Sequence, residues 1–434
     1  VKQRAFLNSK TLTYALYDWG NSAFATTIMA GFFPLFFKQY WSAGTEVTLS
    51  TARLGLANAA AGLILALLAP ILGAISDRGI HKKHFLLLFT LIGAIFSGAF
   101  FFVGQGDWQL AVLIYICGTI GFIGSNLFYD SLLIEVAPPA QRDMVSAFAY
   151  AAGYLGGGIL FALNVAMTLK PDFFGLSGPG EAIRLAFLSV GLWWLIFGLP
   201  LQFSLKAPPT APKFTRKLVS DAFGQLRTTL REIRKYRPIF LFLTAYWLYI
   251  DGVSTIIKMA VDYGLSLGFD SGALITALLI TQFVGFPAAL LFGWLAKHIG
   301  PIRAIRLAIF VYLGVTIYAA FMRTETEFYV MAITIGLVQG GIQALSRANF
   351  ANMIPIDKSA EFFGFYNMVG KFAAILGPAL IAVTGLVARQ AGVTGTAATR
   401  IGILSIAVMF ISGWILLGRV EQEPFLINRR KHEE

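Results

Sequence analysis

Residues 59–103 read AAAGLILALLAPILGAISDRGIHKKHFLLLFTLIGAIFSGAFFFV, and this stretch decides the fold. Two apolar runs flank a short polar break, Asp77-Arg78-Gly79-Ile80-His81-Lys82-Lys83. A helix rises 1.5 Å per residue, so about 20 apolar residues cross a hydrocarbon layer roughly 30 Å thick. The runs 52–76 and 84–103 both reach that length. Working outward, runs of the same kind cover 13–38, 109–131, 146–168 and 184–204, and then 239–261, 272–296, 304–322, 328–348, 363–387 and 400–418. The pattern predicts an all-α polytopic membrane protein of about 12 transmembrane helices in two six-helix halves. An even number of spans puts both termini on one side.

Composition agrees. Of the 434 residues 57% are hydrophobic and only 13% charged, with mean hydropathy +0.71. A soluble domain carries about a quarter charged residues, so most of this surface faces lipid. The lone Cys117 excludes an internal disulfide. Lys2, Arg4 and Lys10 lead into an apolar run without a small-residue cleavage site, so no cleavable signal peptide is expected. The net charge of +12 follows topology: about 25 of the 34 Lys and Arg residues fall at the termini and in alternate loops. The positive-inside rule makes that side cytoplasmic in an inner (plasma) membrane. Charge placed this way disfavours nucleic acid as a partner.

The polar interval 206–237 separates an N-terminal bundle, 1–205, from a C-terminal bundle, 238–434. It opens with Pro208, Pro209 and Pro212. Phe214, Leu218, Phe223, Leu226, Leu230 and Ile233 follow at helical spacing among basic residues. That pattern predicts an amphipathic helix on an anionic leaflet; a solvated linker is the alternative. The halves echo each other. Leu16-Tyr17-x-x-Gly20-x-Ser22 reappears as Leu248-Tyr249-x-x-Gly252-x-Ser254, and Pro138, Phe148 and Gly153 match Pro355, Phe365 and Gly370 at one offset. Two parallel repeats about an axis along the membrane normal are expected.

Several motifs point to one family. Gly73-Ala-Ile-Ser-Asp77-Arg78 resembles the G-x-x-x-D-R loop of the major facilitator superfamily; Gly293-Trp-Leu-Ala-Lys297-His298 is a copy lacking the Asp. Tyr17-Asp18-Trp19-Gly20-Asn21-Ser22-Ala23-Phe24, Leu345-Ser346-Arg347-Ala348-Asn349-Phe350 and Glu361-Phe-Phe-Gly364-Phe-Tyr366-Asn367-x-x-Gly370-Lys371-Phe372 resemble the autophagy-related vacuole-effluxer branch of that superfamily, which has many bacterial members. The resemblance implies a twelve-helix transporter working as a monomer, with amino-acid efflux as the activity of the characterised branch. It also implies that Asp77 sits near the start of span eleven and that Asp77 and Arg78 help gate the cytoplasmic face.

A charge at the bilayer centre costs about 2.5–3.5 kcal/mol on insertion scales, so intramembrane charges mark function by default. Charged and amide side chains concentrate in spans one, four, seven, ten and eleven: Asp18, Asn21, Asn126, Asp130, Asp251, Gln339, Gln343, Arg347, Asn367 and Lys371. In the resembled fold, spans one, four, seven and ten line the central cavity and three, six, nine and twelve face lipid. Tyr17, Trp19, Asn21, Asn126, Tyr249, Gln282, Gln339 and Gln343 are candidates to bind a small zwitterion. Asp251 or Asp18 would meet its ammonium, and Arg347 or Lys371 its carboxylate. For Asp251, about 13 residues into span seven, the alternative is a carboxylate paired for packing alone; Lys371 is its candidate partner. Asp130 and Arg347 hold equivalent positions in the two repeats and can meet near the axis as a latch; the alternative is two charges reaching headgroups.

All four histidines, His81, His84, His298 and His432, map to the cytoplasmic face, so proton coupling would rest on Asp18, Asp130 or Asp251. Gly364-(x)5-Gly370-Lys371-Phe372 lacks the spacing and the Ser/Thr of a phosphate loop. Neither a metal-ligand cluster nor a nucleophile with a matched base is visible, so no cofactor and no enzyme are expected. The expectation is a secondary transporter of a small polar solute, amino acids by efflux, working by alternating access with protons as a candidate coupling ion. Sugar or muropeptide transport, drug/proton antiport and a non-transporting membrane sensor or enzyme remain the alternatives.

Overall fold

The computed structural model describes residues 7–44, 47–78, 82–205, 236–393 and 396–422, together with positions 224, 228, 229, 231 and 233 of the linker. The amphipathic helix expected over 206–237 otherwise lies outside the described residues, as do the side chains of Arg78, Lys258 and Lys371.

Among the described residues the chain forms twelve helical rods; residues 205–236, most of them outside the described residues, separate the sixth from the seventh. The first, α1 (Ser9–Ala23), starts where the Asn8 side chain accepts from the Lys10 and Thr11 amides at 3.0 and 3.1 Å, a cap worth about 1 kcal/mol. It runs on through wide π-helical turns at Phe24–Phe32 and Phe37–Trp41, around the α turn Phe33–Phe36 that contains Pro34. Pro34 has no amide hydrogen for the regular ladder, and a change of turn beside it keeps the rod unbroken. The N-terminal half continues as α2 (Val47–Arg78), α3 (Lys82–Ala99), α4 (Trp108–Val136), α5 (Arg142–Leu169) and α6 (Pro179–Ser204).

The C-terminal half repeats the series as α7 (Arg237–Ser266), α8 (Ser271–Ile299), α9 (Pro301–Phe321), α10 (Glu325–Met353), α11 (Ser359–Gln390) and α12, which is broken at Ile406 into Thr396–Ser405 and Ala407–Gln422. Asp270 caps α8, Thr324 and Glu327 form a capping box on α10, and Gly300, at φ +88°, turns the chain between α8 and α9. Each expected span coincides with one of these rods, although 84–103 runs past Ala99 through a 3-10 turn at Phe100–Phe102 and 304–322 ends one residue beyond Phe321. Among the described residues ten helices are long and apolar enough to cross a membrane, and Leu376–Ala388 in α11 is a shorter apolar stretch.

The packing order is itself duplicated. In the first half α1 packs on α5 and α6, and α4 on α2 and α3; in the second α7 packs on α11 and α12, and α10 on α8 and α9. The halves meet through α2 against α11 and α5 against α8, contacts that a twofold exchanges. Lipid-ready side chains line the outside: Leu88 and Ile95 on α3, Ile196 on α6, Phe310 on α9 and Ile411 on α12 are exposed. Other rods carry exposed apolar side chains too, among them Leu67 on α2, Leu113 on α4 and Leu291 on α8. Lys82, Lys83, Arg142, Lys297, Arg303 and Lys358 gather where α3, α5, α9 and α11 begin or α8 ends; this is the basic face below.

Candidate functional site

The site is built around one buried guanidinium. Arg347, six residues before the end of α10, is 2% exposed and reaches out of the C-terminal half into the N-terminal one. Its Nη1 lies 3.1 Å from Asp130 Oδ1 on α4 and 3.9 Å from Asp18 Oδ2 on α1. Its Nε donates to Ser146 Oγ at 2.9 Å and its Nη2 to the Ser146 carbonyl at 3.2 Å. Three rings surround it, with the guanidinium carbon 4.5 Å from the ring centre of Tyr150, 5.2 Å from Tyr129 and 5.5 Å from Tyr14.

Helical spacing brings these groups to one place. Tyr14 and Asp18 share a face of α1 at i, i+4, and Ser146 and Tyr150 do so on α5. Tyr14 and Tyr129 stack at 4.2 Å. Tyr129 donates to the Tyr14 carbonyl at 3.0 Å and to Asp18 Oδ2 at 3.3 Å, and Ser22 donates to Asp18 Oδ1 at 3.1 Å. Asn367 on α11 donates to Asp130 Oδ2 at 3.4 Å. Both carboxylates are thus oriented by donors besides the cation, as a buried charge requires.

Toward the basic face, further bonds join the halves. Asp77, at the end of α2, accepts from the Ala360 and Glu361 amides at 3.1 and 2.7 Å, so its charge caps the start of α11, where the helix dipole favours an anion. Lys82 bridges Glu135 at 2.7 Å and Ser359 at 2.6 Å. Arg142 donates to the Ala351 carbonyl and to Asn352 Oδ1, each at 3.0 Å. Helices α2 and α11 come close enough that a Cβ on Gly364 would stand 2.7 Å from the Ala69 carbonyl oxygen. The two halves are therefore closed on each other at this face.

The other expected site residues divide into two sets. Asn126 on α4 and Gln343 on α10 are half-buried, one turn from Asp130 and Arg347 on the same faces and away from the basic ends. Gln282 lies against Gly158 across the α5–α8 contact. Gln339 borders a cavity of about 50 Å³, otherwise lined by apolar side chains such as Ile257, Leu274 and Met331 with Thr281. Asn126 and Gln343 thus adjoin the cluster, whereas the cavity beside Gln339 is lined by residues of the C-terminal half.

The remainder sit inside one half. Tyr17 bonds Thr90 at 2.7 Å, Asn21 donates to Ser125 at 3.4 Å, and Tyr249 bonds Ser346 at 2.7 Å. Trp19 packs on Trp193 and Phe197 of α6. Asp251 is fully buried and accepts from the Gly377 amide at 3.0 and 3.1 Å and from Thr255 at 3.3 Å, bracing α11 beside Pro378.

Sequence reasoning missed Tyr14, Tyr129, Ser146 and Tyr150 as parts of the cluster. A signal was present: Tyr14 stands one turn before Asp18, Tyr129 adjoins Asp130, and Tyr150 lies 217 positions before Asn367, the separation of Asp130 and Arg347.

Comparison with known proteins places the chain. The family model described as "Vacuole effluxer Atg22 like" matches residues 50–424. The MFS-type transporter YxiO of Bacillus subtilis (strain 168) is 38% identical over 419 residues, covering 95% of this chain and 94% of the relative. Autophagy-related protein 22 of Coccidioides immitis (strain RS) is 23% identical over 397 residues, covering 74% of this chain and 65% of the relative. Among solved structures, the human organic anion transporter MFSD10 superposes with TM-score 0.67 at 15% identity, covering 96% of this chain and 100% of that one. The major facilitator transporter FucP in its outward conformation superposes with TM-score 0.66 at 16% identity, covering 97% and 100%. At such identities the structural likeness speaks for the fold.

Proposed function

The chain belongs to the vacuole effluxer Atg22-like family of major facilitator transporters, as a bacterial-type member, and from that premise we propose that it exports amino acids by alternating access. The bundles 1–205 and 238–434 are the rocking bodies, and the basic face, with both termini, lies in the cytoplasm of a cell whose plasma membrane the protein spans. The observation that carries the reading is the Asp130–Arg347 pair, whose two members come from opposite bundles at 3.1 Å. A buried charge pair across the boundary between two moving bodies gives a contact that forms in one state and parts in the other.

The amides Asn126, Gln282, Gln339 and Gln343 supply hydrogen-bonding groups for a zwitterion between the bundles. Asp18 and Asp130 supply carboxylates through which a proton gradient can drive the cycle. The test is counterflow into proteoliposomes preloaded with amino acids, sugars or dipeptides, with and without a pH gradient. Accelerated exchange of amino acids and accumulation under a pH gradient are expected. Exchange confined to sugars or dipeptides would overturn the substrate assignment.

A further inference from the structure

We infer that Arg347 occupies a cation-binding box of the N-terminal bundle, and that the same box receives the cationic side chain of a basic amino acid once the bundles part at the basic face. The inference rests on the alternating-access reading and names the substrate class within it.

Without Arg347, the groups around its guanidinium belong to one bundle: Asp18 and Tyr14 on α1, Tyr129 and Asp130 on α4, Ser146 and Tyr150 on α5. Two carboxylates supply charge. Three rings present π faces, which attract a guanidinium or ammonium more strongly where water is excluded. The Ser146 hydroxyl and carbonyl supply two acceptors in the plane of a guanidinium fork, at 2.9 and 3.2 Å. These are the recognition elements that a free arginine or lysine side chain requires. The box is braced without its occupant as well, by bonds inside the N-terminal bundle: Tyr129 bonds the Tyr14 carbonyl and Asp18, and Ser22 bonds Asp18.

Arg347 arrives on the other bundle. When the two bundles separate at the basic face the guanidinium withdraws with α10, and the box opens to the water on that side. A basic amino acid then takes its place, with its α-amino and α-carboxylate groups toward Asn126 and Gln343. Reclosure returns Arg347 to the box and displaces the solute cation toward the opposite side. The tethered arginine thus acts as an internal competitor whose return favours release. Protein that spends part of its time with the box self-occupied binds the free cation more weakly by that fraction.

The test is equilibrium binding of L-arginine, L-lysine, L-leucine and L-glutamate to the purified full chain, read beside the counterflow assay. Wild type should bind arginine and lysine in preference to leucine and glutamate. Removing the competitor with Arg347→Gln should tighten arginine binding by about tenfold or more, and adding Asp130→Asn to it should abolish the gain. A merely structural arginine would yield no such gain. Should Arg347→Gln prove unstable, Arg347→Lys keeps the charge but loses the two-pronged grip on Ser146, and a smaller gain in arginine affinity is expected. Arginine affinity unchanged or weakened in both variants, or preference for leucine or glutamate, overturns the box. Leucine counterflow with no response to arginine would do so while leaving amino-acid transport standing; absence of amino-acid flux with the Arg347→Gln gain intact would do the reverse.

Discussion

The two halves of the molecule carry the same helices with opposite chemistry at matched positions. At the separation of 217 residues that relates α4–α5 to α10–α11, Asp130 answers Arg347, Tyr129 answers Ser346, Ser146 answers Phe363 and Tyr150 answers Asn367. On α1 and α7 the repeat aligns Tyr14 with Tyr246 and Tyr17 with Tyr249, but Asp18 with Ile250. The scaffold is duplicated; the charge is not. Groups on a pseudo-twofold meet their own counterparts, so identical halves would set carboxylate against carboxylate or guanidinium against guanidinium. Splitting the signs turns that repulsion into an attraction that closes one face. Even the accessory contacts cross over: Asn367 reaches Asp130 while the Tyr150 ring faces Arg347.

That comparison can be broken most severely by making the halves alike. Asp130→Arg places two guanidinium groups on the axis, and transport should fall about a hundredfold or more, since an unpaired buried charge costs roughly 3–5 kcal/mol. Adding Arg347→Asp restores opposite signs in swapped positions, and initial rates of counterflow should partly recover. Absence of recovery in correctly inserted protein would mean the pair is not a latch.

A second test weighs the two carboxylates against each other. Asp130→Asn removes the 3.1 Å partner and should cost several kcal/mol in thermal or denaturant stability, whereas Asp18→Asn removes the 3.9 Å partner and should cost less than half as much. Equal losses would deny Asp130 its primary place.

The third acts on the helices that bring the halves together. A valine at Gly364 pushes α2 from α11 through the Ala69–Pro70 backbone, so closure at the basic face should weaken. Thiol labelling of Ala351→Cys, in a chain whose single native Cys117 is replaced, should quicken by about tenfold, the equivalent of 1.4 kcal/mol.

The smallest effect belongs to Asp77→Asn, which keeps an acceptor for the α11 amides but loses the charge at the helix start. The same labelling rate should rise only about two- to fivefold, in line with 0.3–1 kcal/mol for a charge at a helix terminus. An effect as large as that of Gly364→Val would move the main closure to the loop.

Much of the fold was legible because lipid imposes it. Long apolar runs such as 84–103 can do little except cross, and the alternation of Lys and Arg between loops follows the same constraint. The repeat was legible because Pro138 and Pro355, Phe148 and Phe365, and Gly153 and Gly370 kept their spacing. The meeting of Asp130 with Arg347 could be read from that symmetry. Side-chain direction could not. Asp18 and Trp19 are neighbours in sequence, yet a helix turns about 100° per residue, which sends the carboxylate to the cluster and the indole to α6. Asp251 reads as a cavity charge from its depth alone, and depth does not disclose that its carboxylate accepts from the Gly377 amide on α11. The tyrosines escaped notice because an aromatic in a membrane helix usually signals packing, and only the position of Arg347 gives these rings another purpose.

The most direct test is a distance measurement across the basic face. Spin labels at Ala140 and Asp357, both exposed and matched by the repeat on opposite bundles, report whether the Asp130–Arg347 contact is one state of a moving pair. Two distance populations are predicted in lipid nanodiscs, with Arg347→Gln shifting the balance toward the longer. A single short distance, unchanged by that substitution and by every solute that the protein binds, would contradict the account.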